Sequence, residues 1–148
     1  MKKISLLLTL VGVVSILLAG GAVPVYAQEE HHEIMVTIDV KPGGYPNPIN
    51  LKSGGVIPVA LLGSATFDVT GVNLGTVGIH PMERPEEAVA PVRYAFSDVN
   101  NDGYMDIIFH FMTQETSFQP GDTAACLHGE LNSGEHFCGH NTVVIIGY

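Results

Sequence analysis

One stretch decides the fold of this chain, and it reads Val92-Arg-Tyr-Ala-Phe-Ser97, then Asp98-Val-Asn-Asn-Asp-Gly-Tyr-Met-Asp106, then Ile107-Ile-Phe-His-Phe-Met112. The outer two segments alternate with a period of two residues, which is the pattern of a β-strand. In the third segment Ile107, Phe109 and Phe111 would face one side of a sheet, and the residues between them the other. The sequence therefore predicts two neighbouring strands joined by a nine-residue loop.

Further β-like segments precede and follow this hairpin. They occupy residues 34–40, 56–62, 67–73, 76–79, 123–131 and 143–146, and Asn132-Ser133-Gly134 predicts a hairpin turn. Pro58 within the apolar run 56–62 predicts an edge or bulged strand. No segment after the N-terminus shows sustained helical periodicity with caps. Short strands with turn signals about every ten residues predict an all-β fold, a single β-sandwich (Ig-like) over residues 34–148.

The N-terminus has the layout of a secretory signal peptide. Lys2 and Lys3 are followed by an apolar run over residues 6–18 and by helix breakers, and cleavage is expected after Ala27. Residues 28–33 are short and polar, which predicts a flexible N-terminus of the mature chain. The alternative is an uncleaved membrane anchor. We therefore expect an exported protein without a stable membrane span after cleavage, either secreted, at the cell surface, or periplasmic if the cell is Gram-negative.

The charge balance excludes one class of partner. The chain has 6 basic and 15 acidic residues and a formal charge of −9, and removal of the leader with Lys2 and Lys3 makes it −11. Such a surface repels phosphate backbones, so no nucleic-acid partner is expected. It attracts cations instead.

Two cysteines, Cys126 and Cys138, stand near the C-terminus. An even count in an exported chain predicts a disulfide, which would staple a hairpin and stabilise the fold by about 3 kcal/mol. The alternative is a metal site with the nearby histidines (His128, His136 and His140), but the spacing matches no zinc-ligand pattern.

The loop after Ser97 carries the one sharp chemical feature. Oxygen side chains at alternate positions of a tight loop can converge on one hard cation, and Gly103 permits the turn that wraps the chain around it. The pattern predicts a calcium site with five ligand residues: Asp98, Asn100, Asp102, Tyr104 through its carbonyl, and Asp106 directly or through water. The alternative is a plain hairpin turn at Asn101-Asp102-Gly103.

The loop departs from the EF-hand pattern in two respects. Phe109 stands where an EF-hand carries its bidentate glutamate, and the flanks are predicted strands rather than helices. The missing ligand would be water or a distant carboxylate such as Asp68 or Glu115. No serine lies in a Gly-x-Ser-x-Gly elbow and no phosphate-binding glycine loop is present, so no enzymatic activity is expected.

Several motifs occur in one fixed order along most of the chain, from about residue 38 to 146. They are Ile38-Asp-Val-Lys-Pro-Gly43, Asn47-Pro-Ile-Asn50, Gly55-Val-Ile-Pro-Val-Ala-Leu-Leu62, Phe67-Asp-Val69, the loop 98–106, Phe109-His-Phe111 and Gln114-Glu-Thr116. This order resembles a small exported domain of bacterial and archaeal surface and secreted proteins. The resemblance implies a calcium-binding β-sandwich without an assigned enzymatic activity, and it adds no ligands to those of the loop.

These observations predict a non-enzymatic calcium-binding module with a structural or adhesive role at the cell surface or in the extracellular matrix. Two other roles stay open. One is calcium-dependent binding of an extracellular glycan or peptide (or protein) ligand. The other is self-assembly into an extracellular filament or layer, through an edge strand around Pro58 or through the N-terminal segment.

Overall fold

A computed structural model describes residues 32–148. The predicted signal peptide and residues 28–31 of the predicted tail lie outside the described residues. The described strands are β1 (Ile34–Met35), β2 (Ile38–Val40), β3 (Pro48–Asn50), β4 (Val56–Leu61), β5 (Val72–Pro81), β6 (Arg93–Ser97), β7 (Asp106–Met112), β8 (Ala124–Leu131), β9 (His136–Thr142) and β10 (Val144–Ile146). Three short 3₁₀ turns (Val69–Gly71, Pro85–Glu87, Thr113–Glu115) are the only helical segments in this part of the chain, and none is long or apolar enough to cross a membrane.

Two four-stranded sheets form the body of the molecule. One has the strand order β1-β9-β8-β5 and the other the order β2-β4-β7-β6, while β10 and β3 form a small parallel pair. Buried side chains from both large sheets make one continuous hydrophobic core. The prediction of an all-β sandwich is therefore confirmed.

The core depends on the alternation that the sequence predicts in β7. Ile107, Phe109 and Phe111 are fully buried, whereas Ile108, His110 and Met112 are only partly buried. From the opposite sheet Phe137 is also fully buried, and its ring meets that of Phe67 edge-on at a centroid distance of 5.8 Å. Each such side chain contributes about 1.5–3 kcal/mol by leaving water.

Pro58 corrects one prediction, because β4 is an internal strand that pairs with both β2 and β7. Its carbonyl accepts from the Lys41 N–H at 2.7 Å, and the Lys41 carbonyl accepts from Gly44 at 2.9 Å in the turn that ends β2. The missing N–H of Pro58 therefore faces the place where β2 stops, and no ladder hydrogen bond is lost.

The structure differs from the two short β-like pieces predicted at residues 67–73 and 76–79. The first piece is mostly not a strand, because Val69–Gly71 form a 3₁₀ turn and only Val72 and Asn73 belong to β5. The second piece lies within β5, whose register with β8 shifts between Asn73 and Gly78. The predicted turn at residues 132–134 does join β8 to β9, with Gly134 at a positive φ of 94°.

Candidate functional site

The loop between β6 and β7 closes around the Asp98 carboxylate. The Asp102 N–H donates to Asp98 Oδ1 at 3.2 Å, and the Gly103 N–H donates to Asp98 Oδ2 at 2.9 Å. The chain turns back through two left-handed residues, Asn101 with φ 57° and Gly103 with φ 88°. Glycine adopts this backbone conformation at no steric cost and asparagine tolerates it, so the local sequence itself specifies the wrapped loop.

The Asp102 carboxylate is the second centre of the loop. It accepts from the Tyr104 N–H at 2.9 Å through Oδ1 and from the Asn100 side-chain amide at 3.0 Å through Oδ2. The Asn100 side-chain oxygen in turn lies 3.3 Å from the Asp102 N–H, which donates to it. Asp98, Asn100 and Asp102 are thus tied to one another across an exposed loop.

Asp106 has a different place from the other predicted ligands, because it is fully buried at the start of β7. Its Oδ2 accepts from the Val99 N–H at 2.9 Å and its Oδ1 accepts from the Gly63 N–H at 2.8 Å. This carboxylate therefore ties the loop to the chain that leaves β4. A Cβ on Gly63 would collide with the carbonyl oxygen of Met105, so the close approach of the two segments requires glycine there.

The donors of the loop fit a hard cation in their chemistry. Each carboxylate oxygen has two lone pairs, so an oxygen that accepts one N–H can still bind a cation. Asp98, Asn100, Asp102 and the Tyr104 carbonyl supply the kind of oxygen donors that calcium prefers. Within residues 32–148, however, no three side chains drawn from His, Cys, Asp and Glu are placed together as a ready metal site. The loop oxygens thus suit calcium by type, and Asp106 serves first as a structural anchor.

The two distant carboxylates predicted as a further ligand differ in their placement. Glu115 follows the far end of β7, and a seven-residue strand at about 3.3 Å per residue separates it from the loop by roughly 20 Å. Asp68 Oδ1 already accepts from the N–H and the hydroxyl of Thr70, at 2.9 and 2.7 Å, and caps the first 3₁₀ turn. Glu115 is therefore too far from the loop to supply the further ligand, and Asp68 stays a prediction.

A cleft opens beside the loop. It has a volume of about 350 Å³, and polar side chains along its wall include Thr37, Ser64, Thr66, Asn100 and Asp102. Two of the predicted calcium ligands thus face a space that can admit part of a small polar molecule.

The cysteines lie on adjacent strands, Cys126 on β8 and Cys138 on β9, with their sulfur atoms 2.8 Å apart as free thiols. The pairing of the strands therefore brings together the two residues that the disulfide prediction names, and the bond itself stays a prediction. Burial and the neighbouring Cys138 raise the pKa of the Cys126 thiol to about 12. Nearby, the ring centroids of His128 and His80 lie 5.3 Å apart. The pKa of His128 is lowered mainly by burial of its ring and also by the neighbouring His80.

Comparison with known proteins adds little to this description. No protein-family model matches the chain, and no curated protein matches it. Among solved structures, AggA, the major subunit of aggregative adherence fimbriae type I from Escherichia coli, aligns with 78% of this chain and 99% of its own at 10% identity. The TM-score of 0.36 is too low for any conclusion about this chain to be drawn from the likeness.

Proposed function

We propose that this protein is an exported, non-enzymatic structural module whose Asp98–Asp106 loop binds one calcium ion. The observation that carries the proposal is the mutual hydrogen bonding of Asp98, Asn100 and Asp102 around one turn, two of them carboxylates. In this turn the backbone holds several hard oxygen donors together before any ion arrives.

Calcium would act through charge and order rather than through a reaction. The chain without its predicted leader carries a formal charge of −11, and the half-buried Asp98 and the exposed Asp102 lie within five residues of each other in the loop. A divalent cation offsets their repulsion and restrains the loop that joins β6 to β7. The fully buried Asp106 passes this restraint to the segment after β4 through its bond to Gly63.

Thermal unfolding with and without calcium tests the proposal. At a free calcium concentration of 100 times the Kd, binding stabilises the fold by about 2.7 kcal/mol, which raises Tm by on the order of 10 °C. Asp102→Asn should abolish most of this rise. Glu86→Gln is the matched control, since it removes an equally exposed carboxylate outside the loop. Equal Tm values for the wild-type protein in calcium and in EDTA would contradict the proposal.

The cleft beside the loop favours a second candidate, calcium-dependent binding of an extracellular glycan or peptide. Asn100 and Asp102 line this cleft together with the hydroxyls of Ser64 and Thr66. An ion held by the loop could bind a ligand hydroxyl or carboxylate at an open coordination position. A glycan array probed in calcium and in EDTA separates the two candidates, because a purely structural ion yields no calcium-dependent spots.

A further inference from the structure

We propose that β6 is an assembly surface, and that its free edge pairs in antiparallel fashion with β6 of a second copy about a two-fold axis at Ala95. The two copies then share one continuous sheet. Such a dimer gives the proposed structural role a partner and a geometry, and its formation does not depend on calcium binding.

The hydrogen-bond register shows what the edge of β6 offers. The Thr113 N–H donates to the Gly55 carbonyl at 3.0 Å. Because hydrogen bonding alternates along a strand, Phe111, Phe109 and Ile107 also turn their N–H and carbonyl groups toward β4. The residues between them, including Ile108 and His110, turn theirs toward β6. Ile108 lies opposite Ala95 and His110 opposite Arg93, so the odd-numbered residues of β6 bond to β7.

Tyr94 and Phe96 consequently point their N–H and carbonyl groups away from the sheet. Among residues 32–148 no strand pairs with this side of β6, the last strand in the order β2-β4-β7-β6, so these four groups face a free edge. They form a template for another strand.

The same two residues present apolar surface. Tyr94 and Phe96 lie opposite Phe109 and Ile107, whose side chains are fully buried in the core, and directly opposed residues share a face of the sheet. Tyr94 is nevertheless 49% exposed and Phe96 44% exposed, with their rings 6.1 Å apart and edge to face. The core layer thus continues onto an edge strand whose aromatic rings remain half in water.

The other sheet edges carry protection that β6 lacks. The edge of β5 is covered where Ile79 exchanges hydrogen bonds of 3.0 and 2.9 Å with Val89, and its register shifts elsewhere along the strand. The edge strands β1 and β2 have only two and three residues. Short strands, irregular register and covering segments block pairing with other chains. β6 has five residues in regular register with β7, and none of them is proline. The irregular pairing lies just before the strand, where the Val92 N–H donates to the His110 carbonyl at 2.8 Å.

A second copy of β6 fits this edge in a self-complementary register centred on Ala95. Around an axis at Ala95, Tyr94 stands opposite Phe96 of the second copy, and this aromatic pair occurs twice. Both residues have outward peptide groups, so the register also forms four hydrogen bonds. Ala95 meets Ala95 of the second copy without a clash.

The position of Arg93 in the proposed dimer favours this register. Arg93, one of only four cationic residues after the predicted leader, stands opposite Ser97 of the second copy and next to the start of its acidic loop. The two copies of Arg93 lie at opposite ends of the paired strands, so they do not repel each other directly. A chain with a formal charge near −11 gains most by placing its few cations in this way.

The surface predicts a weak dimer, because a pair of five-residue edges buries less than the roughly 1,200 Å² of a standard interface. We therefore expect a dissociation constant of about 10 µM to 1 mM. Salt should favour dimerisation, because it screens the repulsion between the two negatively charged copies. Both properties can be measured by sedimentation equilibrium.

Charge substitutions at the axis test the register itself. Ala95 is exposed, and in the proposed dimer its Cβ lies close to its own symmetry mate as a non-hydrogen-bonded pair. Ala95→Lys and Ala95→Glu each place like charges face to face, and each should weaken dimerisation at least tenfold without changing the circular dichroism spectrum. A mixture of the two variants should recover a heterodimer at least as tight as the wild-type dimer.

Three results would overturn the proposal: a wild-type protein that stays monomeric at 1 mM, a dimer that Ala95→Lys leaves intact, or a mixture that fails to associate. Each measurement is made in EDTA and again in calcium. If the protein does not dimerise but calcium still raises Tm, only the assembly surface is refuted. If the protein dimerises but calcium does not raise Tm, only the calcium site is refuted.

Discussion

Replacement of Asp106 should separate the structural role of the loop from its role as a metal site. Asp106 is fully buried, and its two oxygens accept from the Gly63 and Val99 N–H groups at 2.8 and 2.9 Å. A hydrogen bond to a carboxylate contributes about 1.5–3 kcal/mol, and loss of the acceptor leaves a buried donor unsatisfied. Asp106→Ala should therefore lower the free energy of unfolding by about 3–5 kcal/mol, and Asp106→Asn, which keeps one acceptor oxygen, by about 2–3 kcal/mol.

Urea unfolding in EDTA, followed by circular dichroism, measures this loss without any contribution from calcium. Asp102→Asn is the control in the same loop, because its side chain is exposed and should change stability little when the metal is removed. Unfolding of Asp106→Asn in EDTA at the wild-type urea concentration would show that the buried carboxylate does not stabilise the fold. A loss that appears only in calcium would make Asp106 a direct ligand instead of an anchor.

Two further predictions concern titratable groups near the C-terminal hairpin. A pKa of about 12 leaves a thiolate fraction near 10⁻⁴ for Cys126 at pH 8. In the reduced folded protein Cys126 should therefore react with iodoacetamide orders of magnitude more slowly than in urea. Equal rates, measured by peptide mass spectrometry, would contradict its burial. The lowered pKa of His128 means that the unfolded chain takes up a proton first as the pH falls below the ordinary value of about 6.5. His128 therefore favours folding above that pH and progressively less below it, and His128→Gln should flatten this part of the stability profile. An NMR titration of the His128 ring with a midpoint at or above 6.5 would refute this account.

Features that depend on neighbouring residues were predictable from the sequence. Alternation placed Ile107, Phe109 and Phe111 on the core side of β7, and a glycine marked the turn between β8 and β9. The wrapped course of the loop also follows from the local pattern that ends at Gly103.

Features that depend on distant contacts were not predictable in this way. Pro58 looked like an edge residue, because no local signal shows that β2 ends beside it. The anchoring role of Asp106 rests on Gly63, which lies 43 residues earlier, so the local pattern assigned this carboxylate to the metal alone. Alternation in β6 predicted a strand, but the exposure of Tyr94 and Phe96 follows only from the position of that strand in the sheet.

The two parallel strand pairs have a consequence for the order in which the chain can fold. Ile34 in β1 pairs with Phe137 in β9, and Pro48 in β3 pairs with Val144 in β10. The Asn141 side chain adds a further link, since its oxygen accepts from the Asn47 amide at 2.7 Å. Contacts so far apart in sequence require the entropy of closing a long loop before they give any stabilisation, which makes folding slow. A nascent chain therefore keeps β1 and β3 unpaired until nearly all of it has been made, whereas β2 can already pair with β4.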